Sequence, residues 1–471
     1  MTIMQTASEI RNKENYYETI LVGTGAAGLY FGAGWPCGLR RDILMLEKTA
    51  RPAMKLLMAG SGQCNVTHGG SIKDFLDCYG DHGSRIRTCL YKHNNLELMS
   101  FLEGLGVPLT EREDGKVFPA SMDAHDVKKA LMNACASNGV EICLNSPVTQ
   151  IRALEKGFEV VIGNVGHSGT SKNIDSSKGC GVSKNVETYI CKNLVIAAGG
   201  CSYPTTGSDG SIFRTLRDDL NLKIEEPVPA LTPVFVQDYP FTELSGISLR
   251  DVGIKIIPPV KSVSQQTSPC SATQPTQSAK KSKPLAFTGD LLLTHKNLSG
   301  PVIINNSRHI STGSKIETNF VHPYKADEVS SHLKKVCPGN NRHLSAFISE
   351  EYNLPKRFVS KIVELALSDA DIPSLKDKKL SALTGKEISA LAHMLASAQF
   401  SVSGLGGFNI AMVTKGGVSL DEVNLKTMEA KAYPGLYFIG EVLDIDGDTG
   451  GYNLQFAYSS AMTALDSILE K

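Results

Sequence analysis

The chain lacks net charge: its 471 residues carry 48 basic and 48 acidic side chains. Without an excess of either sign, no whole-molecule field draws it toward nucleic acid or an anionic membrane surface. It also lacks an apolar run of the length that spans a bilayer, and its first eighteen residues mix charges where a signal peptide would be apolar. These absences predict a protein that binds neither membranes nor nucleic acid.

Cysteine pairs at metal-binding or redox spacing are missing too. The eleven cysteines are odd in number and form no CxxC motif, which fits reduced thiols better than a disulfide framework. We therefore expect a cytoplasmic protein with no metal site and no redox-active disulfide. The chain length suggests about three domains.

The N-terminal region begins with a strand, a glycine turn and a helix. The stretch YYETILVGTGAAGLYFGAG contains the pattern GxGxxG at Gly23, Gly25 and Gly28. In a βαβ unit the first glycine permits the bend, the second lets a pyrophosphate approach the backbone, and the third packs helix on strand. The next strand, DILMLEK, ends in Glu47, at the spacing of a carboxylate that accepts from ribose hydroxyls. A coincidental glycine turn is the alternative, but these elements together predict dinucleotide binding.

Two further strand ends are rich in glycine, namely VIAAGG (195–200) and YFIGE (437–441). No second GxGxxG with a preceding strand and a following acid is present, so the sequence shows no separate NAD(P) domain. One resident dinucleotide, approached by several strand ends, indicates FAD. We expect the following residues of these segments to contact it: Gly23, Gly25, Ala26, Ala27, Gly28, Glu47, Lys48, Ala198, Gly199 and Gly200.

The order of the predicted elements indicates a discontinuous α/β protein. Short β-like runs alternate with turns from about 225 to 320, helical spacing fills 326–398, and GLYFIGEV then returns to a parallel-type strand. Two stretches, 164–185 and 261–284, lack periodicity and are expected to be loops. The predicted domains are an FAD-binding domain (1–215 plus 410–471), a β-rich insert (216–324 plus 399–409) and a helical domain (325–398).

Several longer motifs resemble the aminoacetone oxidase and BaiN-like family of FAD-binding flavoproteins. They are, in order, KLLMAGSGQCNVTH, VIAAGGCSYPTTGSDG, VPALTPV, LLLTHKNLSGP, VTKGGVSL and GLYFIGEVLDIDGDTGGYNLQFAYSSA. The match runs over nearly the whole chain. The resemblance implies a Rossmann-like FAD-binding domain of the glutathione-reductase type, discontinuous, with an inserted β-barrel-like domain and a nested small helical domain.

The resemblance also implies which residues lie at the flavin. Gly440 and Glu441 would bond the ribityl chain, and TGGYNLQ (449–455) would begin a helix that points at the flavin pyrimidine edge. The nearest donors there would be Gly450, Gly451 and Asn453, and such a helix end stabilises the negative charge of a reduced flavin. The segment KLLMAGSGQCN would place four more residues beside the pyrophosphate or the flavin: Lys55, Ser61, Gly62 and Asn65.

Three residues carry open interpretations. The family commonly has arginine where this chain has Gln63, which removes a fixed cation that could contact an anion. Cys64 is either a thiolate beside the flavin or a buried structural thiol, and the lack of a basic neighbour favours the second. His295 can carry a proton at neutral pH, so it is either a catalytic candidate or a packing residue, and packing is favoured.

The sequence thus predicts an FAD-dependent oxidoreductase that exchanges a hydride between flavin and a small organic substrate. The family resemblance implies amine oxidation with oxygen as well as reduction of a conjugated ketone, and the sequence does not choose between them. Any NAD(P)H would have to visit the flavin transiently. The alternatives are a flavoprotein that acts on nucleic acid and a non-catalytic FAD-binding protein. The oligomeric state is open.

Overall fold

A computed structural model of the chain describes residues 15–38, 42–163, 187–259, 283–367 and 378–471. Tertiary contacts divide the chain into two compact units, Met1–Pro229 with Phe408–Lys471, and Ala230–Gly407. The predicted loop at 164–185 lies outside the described residues, as does most of the stretch at 261–284. The finer division into three domains stays a prediction.

The strands are numbered in chain order. They are β1 (Tyr16–Val22), β2 (Ile43–Leu46), β3 (Thr67–His68), β4 (Leu109–Glu111), β5 (Lys116–Pro119), β6 (Glu141–Cys143), β7 (Val148–Ala153), β8 (Phe158–Ile162), β9 (Glu187–Ile196), β10 (Ile224–Ala230), β11 (Val234–Val236), β12 (Ser248–Ile257), β13 (Leu285–Leu293), β14 (Leu298–Ser299), β15 (Lys315–Asn319), β16 (Ala398–Leu405), β17 (Val413–Val418), β18 (Val423–Asn424), β19 (Glu429–Ala430) and β20 (Leu436–Phe438).

The α-helices are numbered in the same way. They are α1 (Ala26–Ala33), α2 (Ile72–Phe75), α3 (Arg87–Lys92), α4 (Asn95–Gly104), α5 (Ala124–Ser137), α6 (Ser211–Leu220), α7 (Pro301–Ile304), α8 (Ala326–Val336), α9 (Leu344–Glu351), α10 (Lys356–Ala366), α11 (Gly385–Ala396) and α12 (Tyr452–Leu469). Within the described ranges, none of these helices has the length and apolar character needed to cross a membrane.

The first unit is built on a largely parallel sheet. Its strand order is β18-β19-β20-β9-β1-β2-β6, and the antiparallel pair of β7 and β8 joins it at β9. β1 pairs in parallel with β2 and β9, and β20 pairs in parallel with β9. Apolar runs such as ILML in β2 are buried throughout, as strands covered on both faces require. The carboxyl ends of β20, β9, β1 and β2 therefore meet at one edge, where open α/β sheets bind ligands.

The second unit contains a closed barrel of six strands in the order β11-β14-β13-β12-β15-β16. In the described part of the chain between β15 and β16 lie the helices α8 to α11, and their bounds confirm helical spacing within the predicted stretch 326–398. The core of this unit includes the rings of Phe241, Phe320 and Phe358. The ring centroids of Phe320 and Phe358 are 4.9 Å apart, so aromatic packing joins the barrel to its helices.

In the first unit, the start of α12 is fixed by a buried polar cluster. Gln455 Oε1 accepts from Thr67 Oγ1 at 2.6 Å, and Gln455 Nε2 donates to the His93 carbonyl at 3.1 Å. The Tyr79 hydroxyl donates to the Tyr452 carbonyl at 2.7 Å. Because buried polar groups are costly when unpaired, these bonds define where the helix begins.

We expect Gln455→Leu to lower the free energy of unfolding by about 1–3 kcal/mol, because it leaves the buried Thr67 hydroxyl without its acceptor. Thr67→Val removes that hydroxyl, so the double variant should lose less stability than the sum of the two single variants. Urea unfolding of the four proteins measures this coupling. Strictly additive losses would show that the Thr67 to Gln455 bond does not contribute.

Candidate cofactor site

The glycine turn after β1 shows a separate constraint at each glycine. Gly23 has φ +101°, and a Cβ there would lie 2.6 Å from the Ala197 carbonyl oxygen. A Cβ at Gly28 would lie 2.2 Å from the Gly23 oxygen, so helix and strand touch backbone to backbone. A Cβ at Gly25 would meet no atom within 4 Å. The first and third glycines are thus required by the protein's own packing, whereas the second faces open space.

The helix that follows this turn, α1, presents its N-terminus at the same place. Gly25 precedes the helix and supplies no side-chain cap. The first helical bond of this turn is donated by the Leu29 N–H to the Gly25 carbonyl at 2.9 Å. The N–H groups of Ala26, Ala27 and Gly28 therefore have no acceptor within the helix. This arrangement favours an anion beside the turn.

Glu47 lies at the end of β2 with its carboxylate fully engaged. Oε2 accepts from the Thr24 N–H at 3.0 Å and the Thr24 hydroxyl at 2.6 Å. Oε1 accepts from the Thr49 N–H and lies 2.8 Å from the Thr49 hydroxyl. That hydroxyl is also 2.9 Å from the Arg51 carbonyl and has one proton to donate. A turn of the hydroxyl toward Arg51 therefore frees an acceptor position on Glu47.

Lys48, the next residue, is directed to a different partner. Its Nζ lies 2.6 Å from Asp209 Oδ1 and 3.2 Å from the Ser211 hydroxyl. The same Asp209 oxygen accepts from the Ser211 N–H at 3.0 Å, at the start of α6. The ion pair thus holds the segment between β9 and α6 against the end of β2, so its visible role is to position that segment.

Gly199 and Gly200 follow Ala198 at the carboxyl end of β9. A Cβ at Gly200 would lie 2.4 Å from Thr414 Oγ1. The buried Thr414 hydroxyl accepts from the Cys201 N–H at 2.8 Å and the Ser202 N–H at 3.1 Å. Thr414, in the motif VTKGGV, thereby holds the chain where it leaves β9. The residues in contact are more than two hundred positions apart, so a single sequence does not reveal that they meet.

Glu441 and Lys55 form a partly buried ion pair at the end of β20. Lys55 Nζ lies 2.9 Å and 2.6 Å from the two carboxylate oxygens, and Oε1 also accepts from the Thr414 N–H at 2.8 Å. The preceding residue, Gly440, has φ +69°, and a Cβ there would lie 2.8 Å from the Cβ of Ala27. The structure therefore brings Lys55, Gly440 and Glu441 together beside α1, and their contact with the cofactor stays a prediction.

The loop before β3 turns back on itself through three left-handed residues. Gly60, Ser61 and Gly62 have φ values of +57°, +57° and +89°. With its amide oriented to satisfy its neighbours, Asn65 donates to the Thr67 carbonyl at 2.8 Å and accepts from the Gly451 N–H at 3.1 Å. This bond ties the loop to the start of α12.

Gly450 and Gly451 precede α12, both with positive φ, and no side chain caps the helix. Asn453 does not face outward from this end: its Oδ1 accepts from the Gly447 N–H at 2.8 Å, and its Nδ2 donates to the Gly447 carbonyl at 2.9 Å. Asn453 closes the loop through its side chain. The backbone N–H groups of the first turn are the remaining donors.

Arg112 supplies the cation that position 63 lacks. Its Nη2 donates to Gln63 Oε1 at 2.9 Å, and its guanidinium lies 4.0 Å from the centroid of the Phe118 ring. The loop has no arginine of its own at position 63, but the Arg112 guanidinium contacts it there. A guanidinium from the turn between β4 and β5 is held there by an amide and an aromatic face.

Cys64 and His295 lie in contrasting environments. Cys64 is fully buried, and burial raises the pKa of its thiol to about 12, which supports the structural thiol over the thiolate. His295 lies on an exposed turn of the second unit, where Thr294 Oγ1 donates to Asn297 Oδ1 at 2.7 Å. Its catalytic role stays a prediction.

Residues 17–467 match the family described as HI0933-like protein Rossmann domain. The chain belongs to this family. This confirms the resemblance drawn from the sequence motifs and the Rossmann-like α/β class. The chain is accordingly a flavoprotein oxidoreductase with FAD as its cofactor.

Two curated relatives align with nearly the whole of this chain. The ribosomal RNA dihydrouridine synthase of Haemophilus influenzae is 27% identical over 455 residues, covering 96% of this chain and 98% of the relative. The 3-dehydro-bile acid delta(4,6)-reductase of Clostridium scindens is 24% identical over 458 residues, covering 94% and 97%. Among solved structures, the 3-ketosteroid-delta4-(5alpha)-dehydrogenase of Rhodococcus jostii aligns with a TM-score of 0.46 at 12% identity, covering 98% of this chain and 99% of that one.

Substitutions in the glycine turn should separate cofactor binding from folding. Gly25→Ala places a methyl group in open space, so we expect the apo protein to keep its melting temperature while the Kd for FAD rises about tenfold or more. The matched variant Gly28→Ala overlaps the Gly23 oxygen and should cost about 1–3 kcal/mol of stability. Fluorescence titration and thermal melts measure both. Unchanged FAD affinity in Gly25→Ala would mean that the cofactor does not approach this glycine.

The raised pKa of Cys64 predicts an inert thiol. At pH 8 the group stays protonated, because this pH lies well below about 12, and the thiol form does not react as a nucleophile. Iodoacetamide labelling followed by peptide mass spectrometry should leave Cys64 unmodified while the exposed Cys37 is labelled. Equal labelling of both residues, or a long-wavelength charge-transfer band lost in Cys64→Ser, would contradict this.

Proposed function

We propose that this flavoprotein reduces a carbon–carbon double bond conjugated to a carbonyl group. The supporting observation is the bond shared by the two relatives. A dihydrouridine synthase saturates the C5–C6 bond of uracil, which is conjugated to the C4 carbonyl, and a 3-dehydro-bile acid delta(4,6)-reductase acts on double bonds conjugated to a 3-keto group. The substrates differ in size and charge, but the reacting bond has the same electronic character in both.

FAD, when bound, supplies the hydride for such a reduction. The residues at the sheet edge suit this cofactor. The open approach at Gly25 and the N–H groups of α1 would hold the pyrophosphate, and Glu47 would accept from the adenosine ribose once the Thr49 hydroxyl turns to Arg51. Glu441 would accept from the ribityl hydroxyls.

The first turn of α12 would serve the flavin ring. With no side-chain cap on this helix, its first N–H groups remain available, and the positive end of the helix dipole stabilises a neighbouring anion. Lys55 would hold Glu441 in its orientation through their ion pair. Ser61, Gly62 and Asn65 would shape the loop that approaches the cofactor.

The Arg112 guanidinium is a suitable group for substrate oxygens. It is exposed, yet it is oriented by Gln63 and Phe118, so it can donate to a carbonyl oxygen without first being ordered. Reduction of a conjugated bond builds negative charge on that oxygen, and a fixed donor there stabilises the charge. The same group would also bind a phosphate.

Two substrate classes follow from the relatives. The sequence favours a small-molecule ketone, because the chain has no net positive charge and nucleic-acid binding relies on basic surfaces. Uracil in ribosomal RNA is the second candidate. It is favoured because the ribosomal RNA dihydrouridine synthase aligns over 96% of this chain. NAD(P)H would be the transient electron donor in either case. A cytoplasmic location is part of this proposal, in keeping with the free thiols of the described cysteines.

The test follows the flavin absorption of the purified protein without oxygen. NADH or NADPH should bleach the flavin, and a substrate with the conjugated bond should restore it in proportion to the amount added. The two probes are androsta-4,6-diene-3,17-dione and unmodified ribosomal RNA transcript, with the saturated steroid and dihydrouridine-containing RNA as matched controls. Reoxidation by the dienone alone supports the ketone, and reoxidation by the RNA alone supports uracil.

Amine oxidation, in which the substrate reduces the flavin, would give a different sequence of changes in the flavin spectrum. If primary amines bleach the flavin and only oxygen restores it, while neither conjugated probe does, the enzyme is an amine oxidase and the proposed reduction is wrong. If FAD binds but no nucleotide, amine or conjugated probe changes its spectrum, the non-catalytic alternative applies.

A further inference from the structure

The Ser208 hydroxyl is a buried polar group without a partner. Ser208 is 7% exposed, and its Oγ makes no hydrogen bond to any residue within the described ranges. A buried hydroxyl normally finds a partner, since leaving it unpaired is unfavourable. The nearby buried Ser202 follows that rule, with its hydroxyl 2.9 Å from Thr414 Oγ1. Ser208 is therefore the exception in its own segment.

The hydroxyl lies at the ligand-binding edge of the sheet. A Cβ at Gly199, just past the end of β9, would be 3.1 Å from Ser208 Oγ. The residue before Ser208, Gly207, approaches the end of β2: a Cβ there would lie 2.9 Å from Thr49 Cγ2 and 3.8 Å from Glu47 Oε1. Ser208 thus lies against the end of β9, one residue after the glycine that approaches Glu47 at the end of β2.

The segment around Ser208 is held from both sides. The Lys48 to Asp209 ion pair fixes the following residue, and the Gly210 N–H donates to the Gly200 carbonyl at 3.0 Å. The Tyr203 N–H donates to the Phe408 carbonyl at 2.8 Å. With its neighbours anchored in this way, the backbone at Ser208 does not need the hydroxyl for its own stability.

We propose that the Ser208 hydroxyl donates a hydrogen bond to an oxygen of the adenosine-phosphate half of FAD. The inference depends on the proposed function only in that FAD binds at this edge of the sheet; it does not depend on which substrate is reduced. The phosphate and ribose oxygens of this half are the acceptors that the position beside Glu47 would meet. The hydroxyl has no partner among the described residues, and FAD would supply one.

This assignment has two linked consequences that a structural serine would not show. In Ser208→Ala, the apo protein loses only an unpaired hydroxyl, so its melting temperature should equal or exceed that of the wild type. The Kd for FAD should rise about tenfold, the loss expected for one hydrogen bond. The Kd for ADP should rise by the same factor, because ADP carries the adenosine-phosphate half alone.

The experiment uses the full chain stripped of FAD, with thermal melts and calorimetric titrations of FAD and of ADP. Ser202→Ala is the matched control, and its apo melting temperature should fall because that hydroxyl is bonded to Thr414. A lower apo melting temperature in Ser208→Ala would reveal a protein partner and overturn the inference. So would unchanged affinities for both ligands.

Two further outcomes would show which part of the inference is wrong, the half of FAD that the hydroxyl contacts or the cofactor site itself. If the FAD affinity falls but the ADP affinity does not, the hydroxyl serves the flavin half and the assignment is wrong. If the wild-type protein binds neither ligand, the cofactor site itself is misplaced and the inference falls with it, whereas normal wild-type binding keeps the two questions separate.

Discussion

The first unit depends on the close backbone contact at the end of β1. Gly23 touches the Ala197 carbonyl beyond β9, and Gly28 touches Gly23, so a strand, a turn and a helix meet without intervening side chains. Gly440 extends the same crowding to β20, where it packs on Ala27. Because interiors are close-packed, an added methyl at these points forces backbone to move. Several strand ends can therefore approach one extended ligand.

Polar groups around this contact fall into those that the protein satisfies itself and those that it leaves open. Thr414, Glu441 and Lys55 are bonded to one another or to backbone. The approach at Gly25 is open, and the buried Ser208 hydroxyl has no partner among the described residues. A site of this kind is largely preformed, and little has to be ordered when a ligand arrives.

Much of this architecture was accessible from sequence because its constraints are local. The glycine turn, Glu47 and the helices α8 to α11 lie within short segments whose spacing reports their geometry. Gln63 shows the limit of that approach, since the missing cation comes from Arg112, 49 residues away. The roles of Thr414 and Asn453 were equally hidden, because hydrogen-bond partners across folded loops leave no periodic pattern. The glycine-rich motif VTKGGV was the one signal that could have pointed to Thr414.

The strand order of the parallel sheet has a consequence for the growing polypeptide. β9 lies between β1 and β20, so the sheet needs residues from both the beginning and the end of the chain. During synthesis the second unit, Ala230–Gly407, is polymerised before β20 and α12 are. At about 5–20 residues per second, the stretch from the end of β9 at Ile196 to the start of β20 at Leu436 takes on the order of 10–50 seconds to synthesise, so the early strands wait at least that long for their last neighbour. Until β20 and α12 are synthesised, the chain lacks Gly440, Glu441 and the first turn of α12, all of which are expected at the flavin.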